Sequence, residues 1–217
     1  MIPKRIHTFW LSSNNPDNWV LENIKTWKEI NPNYEIVIHY ADEFDDLLEI
    51  CPYYKKILGN HSWAYATDYL RSKVLYDQGG WYMDGDVTCH KPLDYLDTEF
   101  GERSRWIGLE QVYPFKTIEC AVMGFEPHDP MMKALVDYYE SWKEGDGVRI
   151  MPEVLNTVCD KNNISKEPIL DPEYFSGIRG ILVPIPKVNS RSAQAYKVGM
   201  SPSEKSYTVH HFTHTGY

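Results

Sequence analysis

The chain has 217 residues, of which 42% are hydrophobic and 24% charged, so it is long enough for one globular domain with a substantial core. Its formal net charge of −9 argues against nucleic-acid binding, because phosphates would be repelled. The four cysteines form no C-x-x-C pair, no stretch is apolar enough to span a bilayer, and no signal segment precedes Ile2; we therefore expect free thiols and a cytoplasmic location.

Strands and helices alternate along the first sixty residues. The predicted elements are, in order, a strand at 5–10, a helix opened by Asn15-Pro16 that buries Val20, Ile24 and Trp27, a strand at 34–39, and helical segments at 44–50 and 53–58. A strand, helix and strand at this spacing predict a parallel pair with a crossover, which is the start of a nucleotide-binding α/β layer. Trp10 is then expected at the carboxyl end of the first strand, where ligands bind in such sheets.

The next segment carries the most chemistry. Ala66, Leu70 and Val74 recur every four residues and predict an amphipathic helix from residue 62 to residue 78. Gly79-Gly80 ends it, because glycine takes the left-handed cap conformation without steric cost. A strand from residue 81 to residue 84 should follow.

The acidic pair Asp84-Gly85-Asp86 follows that strand. Its period of two places Tyr82, Asp84 and, if the strand continues, Asp86 on one face. Two carboxylates so placed can hold a hard divalent cation, which in turn can hold a diphosphate.

Asp68 and Arg71 stand three residues apart and share one face of the preceding helix. A carboxylate there can accept from a sugar hydroxyl, and a guanidinium can reach a phosphate. An intrahelical ion pair is the plainer interpretation of the same spacing.

Beyond residue 100 the pattern stays α/β. We predict strands at 105–110 and 120–125, a helix after Asp129-Pro130, another opened by Pro152, a loop over the cleft at 184–203, and a last strand at 207–212. Glu110 and Glu119 are expected at strand ends on the acceptor side, where either could orient an acceptor; a solvated glutamate is the plainer interpretation of each. His7 is expected to be a hydrogen-bonded core histidine.

Several segments together resemble a known family. The stretch Ile2-Pro3-Lys4-Arg5-Ile6-His7-Thr8-Phe9-Trp10, residues 27–34 and residues 66–87 are similar to glycosyltransferase family 32, the sugar-binding region group that contains a DXD motif. That group includes initiating mannosyltransferases, capsular polysaccharide transferases and, more distantly, toxin glucosyltransferase domains. The likeness is dense over the first ninety-five or so residues.

The resemblance implies a GT-A fold with a Rossmann-like mixed sheet, a single domain with residues 1–95 as donor-binding half and 96–217 as acceptor-side half. It implies Mn²⁺, with Mg²⁺ as the alternative, a nucleotide-sugar donor, first of all a UDP-sugar, transfer with retention, and a saccharide or lipid-linked saccharide acceptor that could bring the chain to a membrane surface. The site residues that it implies are Trp10 on the base, Thr67, Asp68 and Arg71 on the donor sugar or phosphates, Tyr82 along the diphosphate, Asp84 at the ribose and metal shell, and Asp86 as direct metal ligand.

The same resemblance implies a third metal ligand from a C-terminal H-x-x-x-x-S-W segment. His210 is the better-aligned candidate and His211 the second, although Thr215 and Gly216 stand where the family has serine and tryptophan.

Two other functions fit parts of the pattern. Asp84-Gly85-Asp86-Val87-Thr88 matches the D-x-D-x-T nucleophile loop of haloacid-dehalogenase phosphatases, with Lys143-Glu144-Gly145-Asp146 as a poor match for their later motif. A non-catalytic sugar-binding module with Ca²⁺ at the acidic pair would also suit the aromatic content of 14%.

Overall fold

The computed structural model describes residues 1–13, 15–112, 115–184 and 196–211. Its strands are β1 (Arg5–Phe9), β2 (Glu35–His39), β3 (Gly80–Met83), β4 (Val87–Cys89), β5 (Arg105–Val112), β6 (Phe115–Phe125), β7 (Ile169–Leu170), β8 (Ile178–Pro184), β9 (Tyr196–Ser201) and β10 (Thr208–His210). Its helices are α1 (Asn18–Ile30), α2 (Leu47–Ile50), α3 (Pro52–Gly59), α4 (Trp63–Gln78), α5 (Asp94–Phe100), α6 (Pro130–Glu140), α7 (Met151–Asn162) and α8 (Pro172–Phe175), with a 3-10 turn at Ala41–Phe44. None of the helices described is long and apolar enough to cross a membrane.

A six-stranded mixed sheet organises the molecule, in the order β2-β1-β3-β6-β5-β7. Strand β1 runs parallel to both β2 and β3, which confirms the predicted parallel start. Strand β6 runs antiparallel to β3 and β5, and β5 runs parallel to β7. Two antiparallel pairs, β4–β10 and β8–β9, complete the described strands, and the fold class is α/β as expected.

Two hydrophobic cores lie on opposite faces of this sheet, because the side chains of β3 alternate. Tyr82 packs into the core that includes buried residues of α3, α4, α6 and α7. Trp81 and Met83 pack into the core that includes Val20, Ile24 and Trp27 of α1. The tight turn into β3 needs glycine: φ is +64° at Gly79 and +98° at Gly80, and a Cβ at Gly80 would lie 2.8 Å from the Arg5 carbonyl oxygen.

The structure corrects several predicted boundaries. Helix α1 begins at Asn18 with Asp17 as its N-cap residue, not at Asn15-Pro16. Strand β6 starts at Phe115, and β3 ends at Met83, so the strand does not continue to Asp86. The predicted loop at 184–203 contains strand β9, while residues 185–195 of that loop and residues 212–217 of the C-terminal motif lie outside the described residues.

The cysteines and His7 are as expected. All four cysteines, Cys51, Cys89, Cys120 and Cys159, are buried free thiols. His7 is fully buried, with Nε2 3.1 Å from the Gly79 carbonyl oxygen and Nδ1 2.9 Å from His39 Nε2.

Candidate metal and donor site

The acidic pair lies in a tight turn between β3 and β4. The Asp84 N–H donates to the Ala121 carbonyl oxygen of β6 (2.9 Å), and the Val87 N–H donates to the Asp84 carbonyl oxygen (3.1 Å). Helix α1 braces this turn, since Asn23 Nδ2 donates to the Gly85 carbonyl oxygen at 2.7 Å. The two carboxylates are therefore brought to one side by a turn, and not by strand alternation as predicted.

The C-terminal strand brings a histidine to the same turn. Strand β10 pairs antiparallel with β4, with His210 opposite Val87, and the His211 N–H donates to the Asp86 carbonyl oxygen (3.0 Å). His210 Nε2 lies 3.4 Å from Asp86 Oδ1. One ligand atom from each of Asp84, Asp86 and His210 lies within 4.8 Å of the other two, a spacing that fits a single cation with two carboxylates and an imidazole as ligands.

The two candidate histidines point to different partners. His211 Nε2 lies 2.9 Å from the Thr88 hydroxyl, which also lies 3.0 Å from His90 Nε2. The cluster of possible metal ligands contains His210 and not His211, which favours His210 as the third ligand.

The predicted donor-side residues meet in one buried network. Arg71 donates to Asp68 Oδ1 at 2.6 Å and to the Cys120 carbonyl oxygen at 2.7 Å, and its guanidinium lies 3.7 Å from Asp84 Oδ1. It also lies over the Tyr82 ring, 4.4 Å from the ring centre, and the Tyr82 hydroxyl donates to Asp84. The ion pair of Asp68 and Arg71 is thus real, but it is buried and joined to the acidic pair.

Thr67 and Trp10, the other two predicted donor-side residues, make local contacts. The Thr67 hydroxyl donates to the Trp63 carbonyl oxygen one turn earlier in α4, so its hydrogen is engaged within the helix. Trp10 directly follows β1, is half-buried, and donates from Nε1 to the Ser13 hydroxyl at 2.9 Å. Its ring meets Trp19 edge-on at 6.2 Å, and Trp19 in turn packs near Gly85, so Trp10 lies one ring away from the acidic turn.

The prediction for Glu110 and Glu119 needs correction. Both lie inside strands β5 and β6 rather than at their ends, and Glu119 is fully buried instead of solvated. Its Oε1 accepts from the Ala121 N–H (2.8 Å) and lies 3.4 Å from His210 Nδ1, while the Ser176 hydroxyl donates to Oε2. Glu119 therefore faces Nδ1 of His210, on the side of the ring away from Asp86. Glu110 joins Glu119 and His210 in a second possible ligand group.

Electrostatics at this site favour a bound cation. Burial raises the pKa of Asp68 to about 7, although Arg71 opposes the shift, and burial together with Asp86 raises the pKa of Asp84. Burial and then Glu119 raise the pKa of Glu110 to about 8. Burial is the first cause of each raised carboxyl pKa and neighbouring carboxylates add to it, so a divalent cation would stabilise the ionised forms.

The pair His210 and Glu119 has the opposite behaviour. Burial works against a charged His210, but Glu119 and Asp86 raise its pKa well above the usual range. Burial likewise works against a charged Glu119, but His210, Ser176 and the Ala121 N–H lower its pKa. Glu119 therefore stays an anion, and a proton on His210 supplies positive charge between the two carboxylates in this arrangement.

The structure gives the phosphatase alternative no support. The Thr88 hydroxyl lies between two histidines, and Lys143 and Asp146 lie in an exposed turn after α6, where the Asp146 carboxylate accepts from the Lys143 N–H.

Sequence reasoning missed two features that the structure brings together. The first is the Glu119–Ser176–His210 contact, whose members come from β6, the end of α8 and β10. The second is the chain of hydrogen bonds from the Gly79 carbonyl oxygen through His7 and His39 to Glu43, which joins β1 and β2. The four-residue spacing of His39, at the end of β2, and Glu43 was the available signal for the second.

Part of the chain is similar in sequence to known glycosyltransferases. Residues 16–105 match the family described as glycosyltransferase sugar-binding region containing DXD motif. Inositol phosphoceramide mannosyltransferase 3 of Schizosaccharomyces pombe is 34% identical over 98 residues, which cover 44% of this chain and 27% of that protein. Mannosyl phosphorylinositol ceramide synthase SUR1 of Saccharomyces cerevisiae is 25% identical over 151 residues, which cover 65% of this chain and 37% of that protein.

The chain spans 27 to 40% of the length of the curated relatives that it matches. Among solved structures, the PaToxG glycosyltransferase superposes with a TM-score of 0.54 at 20% identity, over 74% of this chain and 70% of that one. This similarity supports the fold. Residues 16–105 are thus similar to the glycosyltransferase sugar-binding regions that contain a DXD motif, and the chain shares the α/β fold of the PaToxG glycosyltransferase.

Proposed function

We propose that this chain transfers a glycosyl group from a nucleoside diphosphate sugar to a saccharide or lipid-linked saccharide acceptor. The observation that carries the proposal is the convergence of Asp84, Asp86 and His210 within 4.8 Å, directly beside the buried Asp68–Arg71 pair. The cation proposed there is Mn²⁺, with Mg²⁺ as the alternative, and it would neutralise charge on the diphosphate leaving group.

Side chains of the protein would orient the donor and the metal ligands. Asp68 and Arg71 are held rigidly by packing and are suited to orient the donor sugar and its phosphates. Tyr82 is 2% exposed and donates to Asp84, so its role is to orient that carboxylate more than to lie along the diphosphate. We propose transfer with retention by attack on the same face of the sugar, in which the departing phosphate takes the acceptor proton, and we assign no side-chain nucleophile.

The donor that we propose first is a UDP-sugar, with Trp10 stacking on the base. The names of the relatives favour mannose as the second candidate sugar, supplied by GDP-mannose, and an inositol phosphoceramide-type lipid as an acceptor. Such an acceptor would bring the chain to a membrane surface. A cytoplasmic location stays a prediction, which cell fractionation would test.

A screen of nucleotide sugars for hydrolysis and transfer, with and without chelator, tests the proposal. We expect Asp86→Asn to lower turnover about 10³-fold, because an amide is a poor ligand for a hard cation and metal stabilisation of the leaving group contributes several kcal/mol. Asp46→Asn, an exposed aspartate far along the chain from the turn, is the matched control. Wild-type turnover in excess chelator would contradict the metal assignment.

Calorimetry separates the remaining alternative. UDP or GDP binding that requires Mn²⁺ supports the transferase, whereas binding of free sugars with Ca²⁺ and of no nucleotide would support the sugar-binding module.

A further inference from the structure

We infer that Glu119 is a positioning residue that holds His210 in the tautomer and orientation needed to bind the metal through Nε2. The inference rests on the proposed function, because it concerns the metal site of that proposal. It assigns to Glu119 a role different from contact with the acceptor.

The geometry of the imidazole carries the first step. His210 presents Nε2 to Asp86 Oδ1 at 3.4 Å and Nδ1 to Glu119 Oε1 at 3.4 Å, so its two ring nitrogens face opposite carboxylates. Since Asp86 belongs to the acidic turn, Nε2 is the nitrogen that faces the candidate metal position. The Nδ1–H then faces Glu119, and a proton fixed there makes the lone pair on Nε2 available to a cation.

The surroundings of Glu119 carry the second step. Its carboxylate is fully buried and accepts from the Ala121 N–H and from the Ser176 hydroxyl. Ser176 also accepts from the His210 N–H through its carbonyl oxygen, at 3.4 Å. Ser176, at the end of α8, thus connects the Glu119 carboxylate to the backbone of the histidine that it faces. Burying a carboxylate costs desolvation free energy even where three donors surround it, so the negative charge of Glu119 is expected to act on His210.

The alternative is that Glu119 is itself a ligand, in a site formed with Glu110 and His210. That group also has ligand atoms within 4.8 Å of one another. The two arrangements make different predictions for Glu110, because the positioning role needs Glu119 alone, whereas a second metal site needs both glutamates.

The test measures Mn²⁺ affinity by electron paramagnetic resonance of free Mn²⁺, on wild type and on Glu119→Gln, Ser176→Ala, Glu110→Gln and Asp86→Asn, with Glu102→Gln as an exposed control. We expect Glu119→Gln to weaken Mn²⁺ binding 10- to 100-fold, the usual effect of removing a carboxylate that supports a metal-bound histidine. Ser176→Ala should weaken it less, and Glu110→Gln and Glu102→Gln should stay within about twofold of wild type. Thermal unfolding followed by circular dichroism identifies any variant that does not fold. If Glu119→Gln does not fold, the Mn²⁺ affinity of Ser176→Ala decides instead: weakened binding supports the inference, and wild-type affinity overturns it.

A second readout reports on the tautomer directly. In the protein saturated with diamagnetic Mg²⁺, ¹⁵N spectra should show His210 protonated at Nδ1, and this signal should be lost or mixed with the other tautomer in Glu119→Gln. Unchanged Mn²⁺ affinity and an unchanged tautomer in a folded Glu119→Gln would overturn the inference. Equal losses in Glu110→Gln and Glu119→Gln would overturn it in favour of the second site. If wild type binds no Mn²⁺, or Asp86→Asn binds it as well as wild type does, the proposed metal site fails, and the inference fails with it.

Discussion

The two sides of the candidate site are assembled in different ways. Asp68, Arg71, Asp84 and Asp86 come from one continuous stretch of chain, in which α4, a double-glycine turn and β3 follow each other directly. On the other side, Glu119, Ser176 and His210 come from β6, the end of α8 and β10, and they meet only because β10 pairs with β4.

This comparison shows which parts of the site can be predicted from local sequence patterns. On the side formed by the continuous stretch, the spacing within α4 and the double-glycine turn follow from local rules, whereas contacts from α1 and β6 hold the turn between the two carboxylates. The assembled side depends on strand pairing over more than a hundred residues, which no local spacing specifies. The family match has the same limit: it covers residues 16–105 and stops before Glu119 and His210.

The largest effect is expected from removal of the buried Arg71 guanidinium, which belongs to the continuous side. Arg71→Ala leaves Asp68 and Asp84 without a counter-charge in a buried setting, and should lower the free energy of unfolding by about 3–5 kcal/mol. Lys25→Ala is the matched control, since Glu22 and Lys25 have the same three-residue spacing on an exposed helix face and should contribute at most about 1 kcal/mol. Urea unfolding measures both. Similar small losses in the two variants would mean that burial does not distinguish these pairs.

The next effect concerns the assembled side. His210→Ala should lower Mn²⁺-dependent turnover about 100-fold or more, because it removes one of three ligands, and His211→Ala should change it less than about threefold, because His211 faces Thr88. Steady-state rates across a Mn²⁺ titration measure the difference. If both variants keep the wild-type rate and metal affinity, the β10 strand is structural and the third ligand lies elsewhere.

A third effect concerns His7, which is buried and contacts the Gly79 carbonyl oxygen at the turn into β3. Burial and then His39 lower the pKa of His7 from 6.5 to about 3, so the unfolded chain binds a proton between these values that the folded chain does not. This contribution to stability is complete above pH 6.5 and is lost as pH falls toward 3. Between pH 6.5 and pH 5 the loss should be about 2 kcal/mol, from 1.36 kcal/mol per pH unit.

His7→Gln should flatten that pH dependence, whatever its effect at neutral pH, because glutamine does not titrate. Urea unfolding at several pH values measures the slope, and His61→Asn, at an exposed position, is the control. An equal slope in wild type and His7→Gln would show that another group causes the loss.

The smallest effect is expected at Trp10, at the edge of the continuous side. Trp10→Ala should weaken UDP binding by about 1–2 kcal/mol, the lower part of the range for a base stacked on an aromatic ring, because the ring is already half-buried against Trp19. Calorimetry with UDP and Mn²⁺ measures it, and Trp19→Ala is the neighbouring control. Unchanged UDP affinity in Trp10→Ala would make Trp10 a packing residue.

Local patterns in the sequence were enough to predict the α/β class, the helix that carries Asp68 and Arg71, and the double-glycine turn that leads into the acidic pair. These features rest on apolar periodicity, on three-residue spacing and on the freedom of glycine at positive φ, all of which act between near neighbours in the chain. The buried His7 follows from the same local pattern. Asp84 and Asp86 could be named as a pair from their spacing, although the turn that joins their carboxylates could not.

Two points depend on the tertiary structure: which histidine faces the acidic turn, and which groups surround Glu119. An isolated glutamate in a sequence is most often solvated, and nothing near Glu119 in the chain indicates that Ala121, Ser176 and His210 surround it. The choice between His210 and His211 is a matter of strand register, since a shift of one residue in the β4–β10 pairing would exchange the faces of the two side chains. The β4–β10 pair forms a two-stranded sheet of its own, and Val87, Cys89 and Tyr207 pack in the core that also contains Trp27, so its register depends on residues far apart in the chain.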